Sequence, residues 1–193
     1  MARNLLLFSN PTPSLLILFK RIKKCIPVLD LNRVKINSDG SLDKLKTRIV
    51  VRGDLQSKDF LEDKWSPTAS FRALKMFLAH AARLKVRVKQ LDFIGAFLQA
   101  KVRSRVFIKF PTIYSKILPE YKQYFGVPLR LLKSMYGMTL SGKFWYIELM
   151  EALTNMNFIQ STTIRCLFYK IFPDGSSIYI LNYVDDMLYF GTS

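Results

Sequence analysis

The sequence predicts an α/β or α+β sandwich, a sheet backed by helices. Segments of helical and strand period alternate along the chain, its C-terminal part reads as a three-strand meander, and 50% of its 193 residues are hydrophobic. That composition supplies one ordinary core or two small lobes, and it excludes a disordered chain.

The first segment, "MARNLLLFSNPTPSLLILFKRIKK", carries two short apolar runs around an Asn-Pro-Thr-Pro-Ser break. It has the superficial look of a secretory signal, but neither run approaches the roughly 18 apolar residues of a membrane span. Residues 1–30 are therefore expected to be an extension without a defined role, and no membrane association is expected. No repeat or low-complexity linker follows.

"RVKINSDGSLDKLKTRIVVRG" reads as two strands around an Asp39-Gly40 turn, the second carrying Lys46, Arg48 and Arg52. In "SPTASFRALKMFLAHAARL", Phe71, Leu74, Leu78 and Ala81 follow Ser66-Pro67 at the spacing of an amphipathic helix. "VRVKQLDF" and "RVFIKF" are short strands flanking "IGAFLQA". "SGKFWYIELMEALTNMNF" is a second helix, opened by Ser141 or Gly142. "CLFYKIF", an Asp174-Gly175 turn, "SSIYILNY" and "MLYF" complete the meander.

Charge narrows the function. Lys and Arg number 30 against 14 Asp and Glu, and the net charge of +16 creates a field that attracts a polyanion such as nucleic acid. Cys25 and Cys166 lie far apart without metal-ligand spacing, which argues against a zinc site or a disulfide framework and fits a reducing, intracellular setting. His80 is the sole histidine, and its place in "FLAHAARL" puts it on a helix surface or interior, so the sequence supports no Ser/His or Cys/His catalytic arrangement.

The run "ILNYVDDMLYFG" places Asp185 and Asp186 side by side among apolar and aromatic residues, in the last turn of the meander. Neighbouring carboxylates repel, and burial costs each of them its hydration, so a bound cation is the strongest reason to keep both; a solvated turn is the plain alternative. A third acid, Asp92, closes the apolar strand "QLDF" in a stretch otherwise rich in Lys and Arg. Alone it reads equally as an ion-pair partner. Beside a two-aspartate turn it supplies the remaining hard oxygen ligand for a pair of Mg²⁺ ions roughly 4 Å apart, as in nucleotidyl transfer.

"YVDD" between apolar strands, preceded in order by "KTRIVVRG", by Asp92 in "QLDFIGAFL" and by "LLKSMYGM", resembles the reverse transcriptase of copia-type LTR retrotransposons over about residues 31–191. The resemblance implies an α+β right-hand polymerase with fingers and palm over residues 31–193, the palm an antiparallel sheet backed by helices. It implies an RNA-directed DNA polymerase that joins dNTPs to a DNA primer on an RNA template with two Mg²⁺ ions, Mn²⁺ being the substitute. Asp92, Asp185 and Asp186 would be the catalytic and metal-binding acids, with Asp92 and Asp185 the principal ligands. Phe97, five positions after Asp92, would be the aromatic gate against a ribose 2′-hydroxyl, a core Phe being its plain alternative. Lys46, Arg48 and Arg52 match the basic fingers segment that meets the triphosphate. Tyr136 and Gly137 match an element whose following helix packs beneath the incoming base.

The chain departs from the family at Thr139-Leu140-Ser141-Gly142-Lys143, where many relatives carry Lys-Gln-Ala-Pro-Arg, and at Ile164-Arg165, where many carry an acid. Thumb, connection, RNase H, integrase and protease segments of the Pol polyprotein are expected to be missing from a chain that ends just after the paired aspartates, and the expected location is the cytoplasm, in a virus-like particle. The competing expectations are an inactive transposon relic acting as a basic nucleic-acid-binding module and a DNA-templated polymerase of another right-handed family. The former leaves the three aspartates without a role.

Overall fold

The computed structural model describes residues 16–18, 25–56 and 64–192. Among them the strands are β1 (Leu16–Leu18), β2 (Ile26–Ile36), β3 (Leu42–Val51), β4 (Lys89–Asp92), β5 (Phe107–Lys109), β6 (Leu129–Leu131), β7 (Ile159–Gln160), β8 (Leu167–Ile171), β9 (Ser177–Tyr183) and β10 (Asp186–Thr192). The helices are α1 (Phe71–Arg83), α2 (Ala96–Gln99) and α3 (Ser141–Asn155). The mixed α and β content agrees with the expectation. The strands, however, form two five-stranded sheets among the described residues rather than one, and the chain divides into two compact units.

The first unit draws on residues 1–63 and 100–141, and its sheet has the order β1-β6-β5-β2-β3. Val28, Val51, Ile108, Leu129 and Leu131 form its buried centre. β2 begins at Ile26, so the boundary expected at residue 30 falls inside a strand. The long β2–β3 hairpin turns where expected. Gly40 takes φ +83°, and the Asp39 carboxylate accepts from the Ser41 amide at 2.9 Å and its hydroxyl at 2.6 Å. The same device recurs in the second unit, where Asp174 accepts from the amide and hydroxyl of Ser176 at 3.0 and 2.7 Å. In each turn the hydroxyl bond, then the amide bond, holds the aspartate below its ordinary range.

At the root of the hairpin two glycines let backbones touch. Val51 N–H donates to Tyr136 C=O at 2.8 Å. A Cβ on Gly137, itself at φ +84°, would stand 2.2 Å from the Val51 carbonyl oxygen, and one on Gly53 would stand 2.0 Å from that of Gly137. Only glycine fits either place.

The second unit draws on residues 64–99 and 142–193, with an antiparallel sheet ordered β4-β10-β9-β8-β7. Ser70 caps α1 by accepting from the Ala73 amide at 3.1 Å. The helix buries Ala73, Phe77 and Ala81 against Cys166, Leu181 and Phe190, the Phe77 and Phe190 rings lying 4.8 Å apart. Each of these phenylalanines contributes about 1.5–3 kcal/mol by leaving water. The expected stripe of Phe71, Leu74, Leu78 and Ala81 is corrected here. Phe71 and Leu78 are exposed and Leu74 is partly buried, because the small Ala73 and Ala81 let the helix approach the sheet on the face that carries Phe77. On the other side of the sheet Phe168, Ile180 and Met187 are buried as well.

Candidate active site

The register of the second unit's sheet brings two of the three aspartates face to face. In the antiparallel pair β10–β4, Asp186 stands opposite Asp92, and opposed residues project to the same side of a sheet. Gln90, diagonal to Asp186 on that side, donates from Nε2 to Asp186 Oδ1 at 3.0 Å. Asp185 lies next door, in the two-residue loop that joins β9 to β10 between the pair Tyr183–Asp186.

Burial corrects the sequence reading. A run so rich in apolar residues predicts buried carboxylates, yet Asp92, Asp185 and Asp186 are all exposed, as are the whole of β4 and Tyr183 at the end of β9. Three hard anionic oxygen donors at the end of one sheet fit Mg²⁺ by chemistry. Among the described residues no group of three or more His, Cys, Asp or Glu is gathered tightly enough to hold a metal ion. Like charges in water gain nothing by converging on their own.

The loop itself is strained. Val184 has φ +59° while Asp185 does not, the pattern of a type II′ turn with a β-branched residue where glycine is favoured. Such a conformation costs about 1–3 kcal/mol and persists where the surroundings over-determine it. Two hydrogen bonds from outside the hairpin do so. Trp145 Nε1 on α3 donates to Val184 C=O at 2.6 Å, and the Phe93 amide donates to Asp185 C=O at 2.9 Å. The Phe93 and Trp145 rings meet edge-on at 5.0 Å. Phe97 lies on α2, half-buried, in the same unit.

The other expected residues belong to the first unit. On one face of the β2–β3 hairpin the cross-strand pairs are Leu31–Arg48, Arg33–Lys46 and Lys35–Lys44, so five cations share one face, four of them exposed and Lys46 half-buried. Like charges directly opposite one another are unfavourable, and here they are left facing water. The Lys46 ammonium is pushed below the usual lysine range, first by Arg48, then by burial, then by Lys35, Lys44 and Arg33. Arg48 lies over the Tyr136 ring at 5.8 Å. Arg52 differs from both. It forms a two-pronged pair with Asp54, Nε to Oδ1 at 2.8 Å and Nη2 to Oδ2 at 2.5 Å, so its guanidinium already has a carboxylate. Gly137 has a structural explanation in its contact with Val51.

Sequence reasoning missed Gln90, Arg33, Lys35, Lys44 and Trp145. The three cations were legible as the alternate residues of a strand pair whose turn was already placed. Trp145 had a weaker signal: a tryptophan in an amphipathic helix needs a partner for its N–H. Nothing local names that partner, 39 residues away.

The model for the family described as reverse transcriptase (RNA-dependent DNA polymerase) matches residues 16–193. Among curated proteins the chain is similar to the retrovirus-related Pol polyprotein from transposon TNT 1-94 of Nicotiana tabacum, with 29% identity over 174 residues, covering 89% of this chain and 12% of that protein. It is also similar to those from transposons RE2 and RE1 of Arabidopsis thaliana, each with 34% identity over 161 residues, covering 81% of this chain and 10% of the relative. The chain thus spans about a tenth of the length of the curated relatives it matches.

Proposed function

This chain belongs to the reverse transcriptase (RNA-dependent DNA polymerase) family of copia-type retrotransposons, and we propose accordingly that it forms the catalytic segment of an RNA-directed DNA polymerase. It joins deoxynucleotides to the 3′-hydroxyl of a DNA primer held on an RNA template, working within a longer Pol polyprotein. The observation that supports this most directly is the cross-strand pair Asp92–Asp186 with Asp185 in the adjoining strained loop. Exposed carboxylates on rigid strand ends suit a site that must admit both a polyanion and its counter-ions.

In this reading the second unit is the palm and the first the fingers. Asp92 and Asp185 are the principal ligands of two Mg²⁺ ions, and Asp186, fixed by Gln90, is the third acid near the primer end. Held there, such ions would supply acidity to the primer hydroxyl and neutralise charge on the departing pyrophosphate. The chain's own residues orient and discriminate. Phe97 excludes a 2′-hydroxyl, and Lys46 and Arg48 neutralise substrate phosphates. Arg52 contributes least, because phosphate must compete with Asp54 for its guanidinium. Tyr136 supports Arg48 from beneath. The expected setting is the cytoplasm, in a virus-like particle. Among the described residues no helix is long and apolar enough to cross a membrane.

A second reading is favoured by the five cations of the hairpin face, which hold nucleic acid whether or not the aspartates work. Primer extension by the purified chain on an RNA template with a DNA primer and Mg²⁺, beside Asp185→Asn, separates the two. Extension lost in the variant supports the polymerase. Equal RNA binding with no extension in either protein supports the binding module.

A further inference from the structure

We propose that Trp145 is a positioning residue for the aspartate turn, holding Val184 in its left-handed conformation through the indole N–H and thereby fixing where Asp185 and Asp186 stand. The inference rests on the polymerase reading of those aspartates, while its physical content concerns the turn alone.

Three observations converge. Val184 is a β-branched residue at φ +59°, where its own preference is to leave. Both carbonyls of the two-residue loop are captured by groups outside the hairpin, Val184 by Trp145 Nε1 at 2.6 Å and Asp185 by the Phe93 amide at 2.9 Å. Those captors also touch each other, ring edge to ring face at 5.0 Å, and Phe93 directly follows Asp92. The result is a closed bracket running from Asp92 through Phe93 and Trp145 to the turn. Trp145 is 5% exposed, so its N–H has little water to turn to, and its aromatic body fixes the donor direction. Without that donor the loop relaxes to a conformation valine tolerates, and the Asp185 carbonyl swings away from the Phe93 amide.

Trp145→Phe keeps the ring and deletes the donor. Val184→Gly removes the strain, because glycine occupies positive φ freely. The experiment compares the full chain, both single variants and the double variant by amide hydrogen exchange and by primer extension. In Trp145→Phe, exchange at the Phe93 amide accelerates by roughly tenfold or more while Phe168 and Ile180 in the sheet interior keep their protection. The kcat for extension falls roughly ten- to a hundredfold while the nucleotide KM stays within about twofold, the signature of displaced reacting groups rather than weakened binding. Adding Val184→Gly restores both readouts, which a merely structural tryptophan would not allow. Unchanged exchange at Phe93 in Trp145→Phe, or failure of Val184→Gly to restore it, overturns the positioning role. If exchange responds as stated but the unsubstituted chain extends no primer, the positioning role stands and the polymerase reading falls.

Discussion

The glycines of the first unit offer a test in which two costs, left-handed φ and backbone collision, are separable. Gly40 has φ +83° and open space around its missing Cβ, Gly53 has the collision without positive φ, and Gly137 has both. Gly40→Ala therefore carries the conformational cost alone, about 1 kcal/mol once the stiffer unfolded chain is counted. At Gly53 the added carbon would lie 2.0 Å from a carbonyl oxygen, well inside the 3.4 Å at which ordinary contact begins. Because the obstacle is backbone on both sides, no side chain can swing aside, and the cost sits at the upper end of overpacking, about 3 kcal/mol. Gly137→Ala adds the two, about 4 kcal/mol. Urea unfolding followed by circular dichroism, with a slope of about 2 kcal/mol/M, reads this as a midpoint lowered by about 2 M, against about 0.5 M for Gly40→Ala. The Gly53→Ala, Gly137→Ala double variant costs less than the sum, since the two collisions, Gly53 with Gly137 and Gly137 with Val51, share Gly137 and one backbone shift relieves part of both. If Gly137→Ala falls within about 0.5 kcal/mol of Gly40→Ala, the close approach to Val51 is wrong, and with it the structural account of Gly137.

Other substitutions test the site. Asp185→Asn abolishes extension without changing the unfolding midpoint, and normal extension by this variant would show the site to be misassigned. Phe97→Ala admits ribonucleotides in a competition assay; unchanged sugar discrimination would remove the gate. Lys46→Ala lowers the slope of log binding constant against log salt for single-stranded RNA by about 0.7, whereas Arg52→Ala changes it less because Asp54 already neutralises that cation, and the reverse order would refute the assignment. The acid limb of stability is set in part by Asp39, Asp54 and Asp174, all held below their ordinary range, by hydrogen bonds from Ser41, Arg52 and Ser176 respectively. A depressed carboxylate stabilises the fold above its unfolded pKa, and that contribution disappears as pH falls through the folded value. Thermal midpoints measured from pH 5 downward, the approximate top of the carboxylate range, should therefore drop, and drop less in Asp39→Asn, Asp174→Asn.

What was legible in the sequence was what local chemistry decides. Both Asp-Gly-Ser turns appear where they were read, because the aspartate and the glycine each satisfy a requirement of the turn itself. The last three strands and the long helix α3 also fall where their periods put them. What was illegible depends on partners far along the chain. The face of α1 was misplaced because Phe71 and Leu78 are as apolar as Phe77, and only the sheet beneath decides which of them is covered. The strand at Phe107–Lys109 was foreseen, but not that it joins a different sheet from β4. The aspartates were identified by type and order. Their exposure and the tryptophan that grips their loop were not, since both follow from how strand ends and α3 meet.

The pairing of β4 with β10 also has a consequence for the chain as it emerges from a ribosome. Gln90 and its acceptor Asp186 are 96 residues apart, so at about 5–20 residues per second the strand carrying Asp92 waits about 5–20 s for its partner. During that interval it is an open edge able to pair with a neighbouring chain. β4 is four residues long and begins with a lysine, both features that discourage such pairing. Asp92 adds a charge at its far end. The acid proposed to hold a metal ion in the finished protein thus also keeps its own strand soluble until the other two aspartates have been made.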